Sequence, residues 1–389
     1  MPAAISTPHP SLALTYNERS ELSNNTPLAS YLLRLAHLKR TNLCVSADVT
    51  TTAELLSIAE DVGEHICVLK THADIISDFG ERTIRGLNEI SRRKKFLVFE
   101  DRKFGDIGNT VQQQYVGGPL TIVRWAPIVN CHIFPGPAII TALSQAAQTA
   151  IRAHNTSVQT DIRASPAASV AGDWQDDHEE DEESEDEQAD SSEPDSDPEI
   201  TFDRNARKPS VVSVSTTISM KSEAISPQPH HRPSIPRVAS DDSEDEGDDP
   251  ETLDHLGPPP YFRSLLLLAQ MSSANNFFTP EYTTACLHHA RENKDFVMGF
   301  IAQKGMNEGS EDNFITMTPG VQLQAGGDGM GQQYNTPAKV VGEGGTDIII
   351  VGRGIYGAKD RRAAALEYRK QGWLAYRERV KAARKVLKR

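Results

Sequence analysis

Along most of the chain, short runs of apolar and β-branched residues alternate with stretches whose apolar positions recur at helical spacing. The runs are Leu43–Val49, Ile66–Thr71, Phe96–Asp101, Ala126–Ile133, Leu265–Met271, Phe296–Ala302, Phe314–Pro319 and Asp347–Val351. Strands that are apolar almost throughout, rather than on every second residue, suit a parallel sheet covered on both faces. The helical stretches between them supply the crossovers that parallel pairing needs. Eight such units in about 280 residues predict an α/β fold, a (β/α)8 TIM barrel.

Each run ends in polar or conformationally special residues: Asp48, Lys70 with His72, Asp101 with Lys103, Asn130 with His132, Gln270 with Ser272, Gln303, Thr318 to Gly320, and Gly352 to Gly354. In a TIM barrel the C-terminal strand ends converge on one face, where the chemistry sits. The pattern therefore gathers the chain's charged groups at a single mouth.

The alternation breaks between residues 155 and 260. Asp173 to Glu199 holds 16 acidic residues in 27 with no Lys or Arg, Asp241 to Asp254 repeats the theme, and a Ser/Pro stretch lies between. Such composition cannot offset its ordering entropy, so this segment is expected to be disordered. The expected organisation is one barrel in two pieces: 1–154 with a terminal extension and strands one to four, 155–260 as an acidic insertion, and 261–389 with strands five to eight. A long interruption there costs little, because closure entropy grows only logarithmically with loop length.

Charge changes the picture once it is divided this way. The chain carries −14 overall, but the insertion holds 28 acidic against 7 basic residues, leaving the other 283 residues at +7. A mildly basic body suits a small anionic ligand, and nothing in it reads as a nucleic-acid-binding surface. Cys44, Cys67, Cys131 and Cys286 are widely spaced without a C-x-x-C pair, which fits buried thiols in a reducing compartment. The first residues lack a basic segment followed by an apolar one, and no apolar stretch reaches membrane-spanning length, so a cytoplasmic protein without membrane contact is expected.

The densest chemistry lies in FEDRKFGDIGNT, Phe99 to Thr110, with Asp101, Lys103 and Asp106 at D-x-K-x-x-D spacing. Residues two apart on a strand point to the same side, so Asp101 and Lys103 should project together. Asp106 falls on the loop beyond, within reach of the same cluster or of a neighbouring subunit. A lysine between two carboxylates stays protonated, which suits a proton donor and not a Schiff-base nucleophile. For an isolated D-x-K, a surface salt bridge is the simpler reading; its position at a strand end among other charged strand ends favours a site.

Near the C-terminus Gly352, Gly354 and Gly357 match G-x-G-x-x-G after a strand, but the 32 residues beyond read as helix, leaving no room for the rest of a dinucleotide-binding βαβ unit. In a barrel, the loops after strands seven and eight bind phosphate. Arg353 and the glycine-rich loop TPGVQLQAGGDGMGQQYNT, with Gln332 and Tyr334 near its close, fit that role. His288 and His289 lie in a helical pattern as surface residues, and no metal-ligand spacing occurs.

These residues resemble the orotidine 5′-phosphate decarboxylase family in its fungal form. The matching pieces are TNLCVSADVTT, ICVLKTHADI, FLVFEDRKFGDIGNTV, LLLLAQMSS, DFVMGFIAQ, MTPGVQL, GDGMGQQY and TDIIIVGRGIYG, in order, over nearly all the chain outside the insertion. Gln270 departs from the family, which has Glu there. The resemblance implies cofactor-free and metal-free decarboxylation of orotidine 5′-monophosphate to uridine 5′-monophosphate, the last step of de novo UMP synthesis. It implies that Lys70, Asp101, Lys103 and Asp106 form an alternating charged set, with Lys103 protonating pyrimidine C6 and Asp101 beside the scissile carboxylate. The substrate would be bound by Asp48, Lys70, Thr71 and His72, by Asp101, Arg102, Lys103, Phe104, Gly105, Asp106, Ile107, Gly108, Asn109 and Thr110, by Ser272 at the base, and by Gln332, Tyr334 and Arg353 at the phosphate. It also implies a homodimer in which Asp106 and Thr110 reach the partner's site. Two rivals stand beside it. Metal-dependent sugar-phosphate decarboxylases and aldolases share the D-x-K-x-x-D signature on this barrel, and an acidic interaction protein could use the barrel only as a scaffold.

Overall fold

The computed structural model describes residues 8–165, 211–220, 253, 255–327 and 333–388, with backbone alone for 157–165 and 211–220. Eight parallel strands close into a barrel in sequence order: β1 (Leu43–Ala47), β2 (Val68–Thr71), β3 (Leu97–Phe104), β4 (Ile128–Cys131), β5 (Ser264–Leu268), β6 (Val297–Ile301), β7 (Ile315–Thr318) and β8 (Ile348–Val351). Each coincides with one of the eight apolar runs. Seven of the strands are buried along their whole length, and β3 is buried at every residue but Asp101, Arg102 and Lys103. Apolar side chains on both strand faces are what a packed interior inside a shell of helices demands.

Helices α1 (Pro27–Leu38), α2 (Thr52–Val62), α3 (Glu81–Lys94), α4 (Gly108–Val116), α5 (Ala138–Asn155), α6 (Pro280–Glu292) and α7 (Arg361–Leu387) flank the strands. Several begin at a threonine whose hydroxyl accepts a helix N–H: Thr26 from Ala29, Thr51 from Glu54 and Thr279 from Tyr282. The connection between β7 and β8 holds a π-helical turn, Ala338–Glu343.

Within the insertion, Thr156–Ser165 pairs antiparallel with Val211–Met220, apart from the barrel sheet. The second strand, VVSVSTTISM, is rich in β-branched residues that favour extended backbone. The acidic tracts of the insertion, and the expectation of disorder attached to them, lie outside the described residues. The chain rejoins the barrel before the expected boundary at 260: Leu253 and Leu256 pack on the core, and the Tyr31 hydroxyl donates to the Gly257 carbonyl.

At the N-terminal end of the barrel, one lysine ties three junctions together. Lys39, at the end of α1, is almost wholly buried, and its ammonium donates to the carbonyls of Gly63 (2.7 Å), Ile66 (2.7 Å), Lys94 (2.9 Å) and Lys95 (2.8 Å). Those oxygens belong to the ends of α2 and α3 and the approach to β2. Lys39→Met keeps the aliphatic stem but strands the carbonyls, and is expected to lower unfolding stability by about 3 kcal/mol. The shift of the urea midpoint at unchanged slope measures this, and a loss below about 0.5 kcal/mol would mean that the cage is not a stabilising element.

Candidate active site

Period-two alternation along β2 and β3 decides which side chains enter the barrel mouth and which back it. Lys70, Phe99 and Asp101 line a cavity of about 230 Å³ at the C-terminal strand ends. Their neighbours Thr71 and Glu100 turn away from it and bond each other behind the sheet, with Thr71 Oγ1 donating to Glu100 at 2.6 Å. The opposite side of the cavity is made by Ser272, Gly320, Val321, Gln322, Tyr334, Ile350 and Arg353. Arg353 Nη2 donates to the Tyr334 hydroxyl at 2.5 Å. A Cβ at Gly354 would overlap the Tyr368 hydroxyl, so any larger residue there has to displace that ring.

The charged side of the cavity is built around one oxygen. Asp101 Oδ2 lies 2.8 Å from both Lys70 Nζ and Lys103 Nζ, and 3.3 Å from His72 Nε2. Lys70 also reaches His72 Nε2 (2.7 Å) and Asp48 Oδ1 (3.4 Å), and Ser46 Oγ donates to that Asp48 oxygen at 2.6 Å. Burial by itself would raise the pKa of Asp101, but the Lys70 ammonium, the His72 hydrogen bond and Lys103 outweigh it and hold the carboxyl well below the usual carboxylate range. Burial works against the charge of Lys70, yet Asp101 and Asp48 raise its pKa above the ordinary lysine value. Asp48 is likewise lowered, burial opposing and Lys70 and Ser46 prevailing. Asp101, Lys70 and Asp48 are therefore held in their charged forms.

Lys103 meets Asp101 as the spacing predicts, but not by regular strand geometry. The β3–β4 register runs Phe99↔Ile128 and Glu100↔Val129, then jumps to Phe104↔Cys131. Asp101, Arg102 and Lys103 thus face Asn130 alone, and Lys103 takes the left-handed region at φ 52°. The bulge turns the lysine over the carboxylate.

The structure brings Asp48, Lys70, His72, Asp101, Lys103, Ser272, Tyr334 and Arg353 to one mouth. It does not bring Asp106. That residue is exposed beyond the strand and accepts from Gln114 Nε2 at 2.5 Å. Gly105, Ile107, Gly108, Asn109 and Thr110 are likewise exposed around the start of α4. Arg102 lies over the buried Phe104 ring, and Thr71 is buried against Glu100, so neither lines the cavity. Gln332 lies outside the described residues. Asn130 is a site residue that the motifs passed over, since only the register of the bulge reveals its role; Ser46 was hidden within an apolar run. Among the described residues, the grouping of possible metal ligands is His288, His289 and Glu292, on the outside of α6 and apart from the cavity.

Ionised groups desolvated at the C-terminal mouth of a parallel barrel mark an enzyme for a small anionic substrate. The chain belongs to the orotidine 5′-phosphate decarboxylase / HUMPS family, which matches residues 41–227 and 232–368. It is 47% identical over 368 residues to the orotidine 5′-phosphate decarboxylase of Aureobasidium pullulans, covering 95% of each chain. It is 42% identical over 387 residues to that of Hypocrea atroviridis, covering 96% of this chain and 99% of the relative. A solved orotidine 5′-monophosphate decarboxylase from Methanocaldococcus jannaschii aligns at 16% identity and a TM-score of 0.44, over 85% of this chain and 98% of that one.

Behind the site, Glu100 sets a pH dependence of its own. Burial pushes its pKa up to about 8, against the Thr71 hydroxyl and the Ala73 N–H, which favour the ionised form. Its folded value lies above the unfolded one, so its contribution to stability is complete below the ordinary value of 4.5 and is lost as pH rises through about 8. Glu100→Gln is neutral throughout, so the stability of the parent relative to this variant should fall between about pH 5 and pH 8. Chemical denaturation across that range is the measurement, and a constant difference would show that Glu100 is ionised in the folded protein.

Proposed function

We propose that the protein converts orotidine 5′-monophosphate to uridine 5′-monophosphate and CO2, with Lys103 as the proton donor and with no metal or cofactor taking part. The observation that carries this reading is the chain Lys70–Asp101–Lys103, buried at Lys70 and partly open at Lys103, at the mouth that also holds Tyr334 and Arg353. Heterolysis of the bond between C6 and the carboxylate releases CO2 and leaves the electron pair on C6. Two preorganised ammonium groups stabilise that charge as it develops. Lys103 Nζ then gives its proton to C6, forming the C–H bond of the product, and solvent restores the lysine. Asp101 would sit beside the leaving carboxylate.

Asp48 and Lys70 would hold the ribose hydroxyls, Ser272 would read the base, and Gln332, Tyr334 and Arg353 would grip the phosphate. Binding energy from the phosphate can then be spent on the transition state. The reaction would be the last step of de novo UMP synthesis. Four buried free cysteines support a reducing cytoplasm. Among the described residues, no helix is long and apolar enough to cross a membrane.

The working form would be a homodimer in which Asp106 and Thr110 enter the partner's site, completing the alternating charge set. The exposure of Asp106 and Thr110, beside the 55%-exposed Ile107, supports this, as does Phe134 at 57% on the same barrel mouth.

Lys103→Ala should lower kcat/KM by about 10³-fold or more while the fold persists. Loss of orotidine 5′-monophosphate absorbance, followed with and without EDTA, reads both the proton donor and the independence from metal. A drop of only a few-fold would remove Lys103 from the chemistry, and abolition by EDTA would favour the metal-dependent rival.

Mixing Lys103→Ala with Asp106→Ala, each inactive alone, should restore part of the activity. Each mixed dimer would hold one site with both residues intact. Absence of recovery after subunit exchange, verified by mass spectrometry, would mean that every site is built within one chain.

A further inference from the structure

We propose that Asn130 is a positioning residue for the proton donor: its amide holds the left-handed backbone of Lys103 with one end and the carboxylate of Asp101 with the other. This rests on the proposed decarboxylation and deepens it. Asn130 closes β4 and is fully buried. Its Oδ1 accepts from the Lys103 backbone N–H at 2.8 Å, and its Nδ2 donates to Asp101 Oδ1 at 2.7 Å.

The need for such a residue follows from the bulge. Three residues of β3 face one of β4, so the Lys103 N–H has no regular ladder carbonyl opposite it. A buried donor without a partner is costly, and a lysine at φ 52° is further strained by its Cβ crowding the backbone. The Asn130 carbonyl takes the place of the missing ladder bond and so fixes the one backbone conformation that lays Lys103 over the site.

The other end of the amide divides the labour of Asp101. Oδ2 faces Lys70, Lys103 and His72, whereas Oδ1 faces Asn130. A donor on Oδ1 sets the plane of the carboxylate, so that a single oxygen spans both ammonium groups. Without it the carboxylate can turn and engage the lysines with both oxygens, drawing Lys103 away from its delivery position. The amide touches Asp101 and Lys103; beyond them Lys70 and His72 meet the other oxygen of Asp101, and His132 lies in the field of Lys103 and Asp101. Burial and Lys103 keep the His132 ring below its ordinary pKa.

Two substitutions separate the two ends. Asn130→Ala removes both bonds and should lower kcat by about 10²-fold, the cost of misplacing a reacting group by about an ångström. KM should stay within about threefold of the parent, because Arg353 and Tyr334 are untouched. Asn130→Asp keeps an acceptor for the Lys103 N–H but sets a second carboxylate against Asp101. When that pair takes up a proton, the carboxyl reproduces the amide, its carbonyl accepting and its hydroxyl donating. Relative to the parent, kcat of Asn130→Asp should therefore rise several-fold as pH is lowered from about 8 to about 6, while that of Asn130→Ala keeps a constant ratio.

Hydrogen exchange at the Lys103 amide, read by NMR, tests the geometry without turnover: protection should be lost in Asn130→Ala and kept in Asn130→Asp. If the parent protein shows this protection but does not consume orotidine 5′-monophosphate, the functional reading falls and the positioning contact stands. Parent-like kcat in Asn130→Ala, or the same pH profile in both variants, would overturn the proposal, as would an unprotected Lys103 amide in the parent. A variant that only loses stability, with kcat intact in its folded fraction, would reduce Asn130 to a structural filler.

Discussion

Two lysine amines, one buried and one partly exposed, meet a single largely buried carboxylate oxygen at 2.8 Å, and the rest of the mouth is arranged to make that tolerable. Taking ions from water costs several kcal/mol each unless geometry returns it. Here the return is visible in direction: burial would neutralise Asp101, yet it is held strongly acidic, and Lys70 is held more basic than a lysine in water. Asp48 shares Lys70 and is in turn steadied by Ser46. An anionic substrate enters a site in which both signs of charge are already fixed, so little reorganisation remains for the moment of reaction.

Much of this was legible in the sequence because a parallel barrel imposes a strict pattern. Strands buried on both faces have to be apolar almost throughout, and the polar residues that end them have to gather on one rim. Asp48, Lys70, Asp101, Lys103 and Arg353 all stand at such strand ends. The bulge was not legible. Nothing in the spacing of Asp101 and Lys103 distinguishes two regular strand residues from a three-residue detour opposite Asn130, since the difference lies in the register with β4. For the same reason Asn130 read as one polar strand end among several. Asp106 and Thr110 illustrate a different limit: their spacing from Lys103 is fixed by sequence, but whether a loop folds inward or faces a second subunit is not.

The two ends of the barrel solve the problem of a buried cation by different means. At the C-terminal mouth the lysines are matched by carboxylates and remain able to act on a ligand. At the opposite end Lys39 is enclosed by four neutral carbonyls. Their dipoles point at the ammonium and tie it to the ends of two helices and the start of a strand. The first arrangement is suited to chemistry and the second to holding helices and strands in register, in keeping with the division of a barrel into a reactive face and a stabilising one.

The insertion enters between β4 and β5, and those strands pair directly with each other from Ile128↔Ser264 to Cys131↔Leu267. Four strands precede it and four follow, and the ring closes again where β8 meets β1. No barrel ladder therefore depends on the covalent link through residues 155–222. A break in that link would leave every strand-to-strand pairing of the barrel in place, so closure of the ring rests on the ladders and not on continuity of the chain there. The place where the sequence looks least like a barrel is also where the barrel can be divided without loss of its architecture.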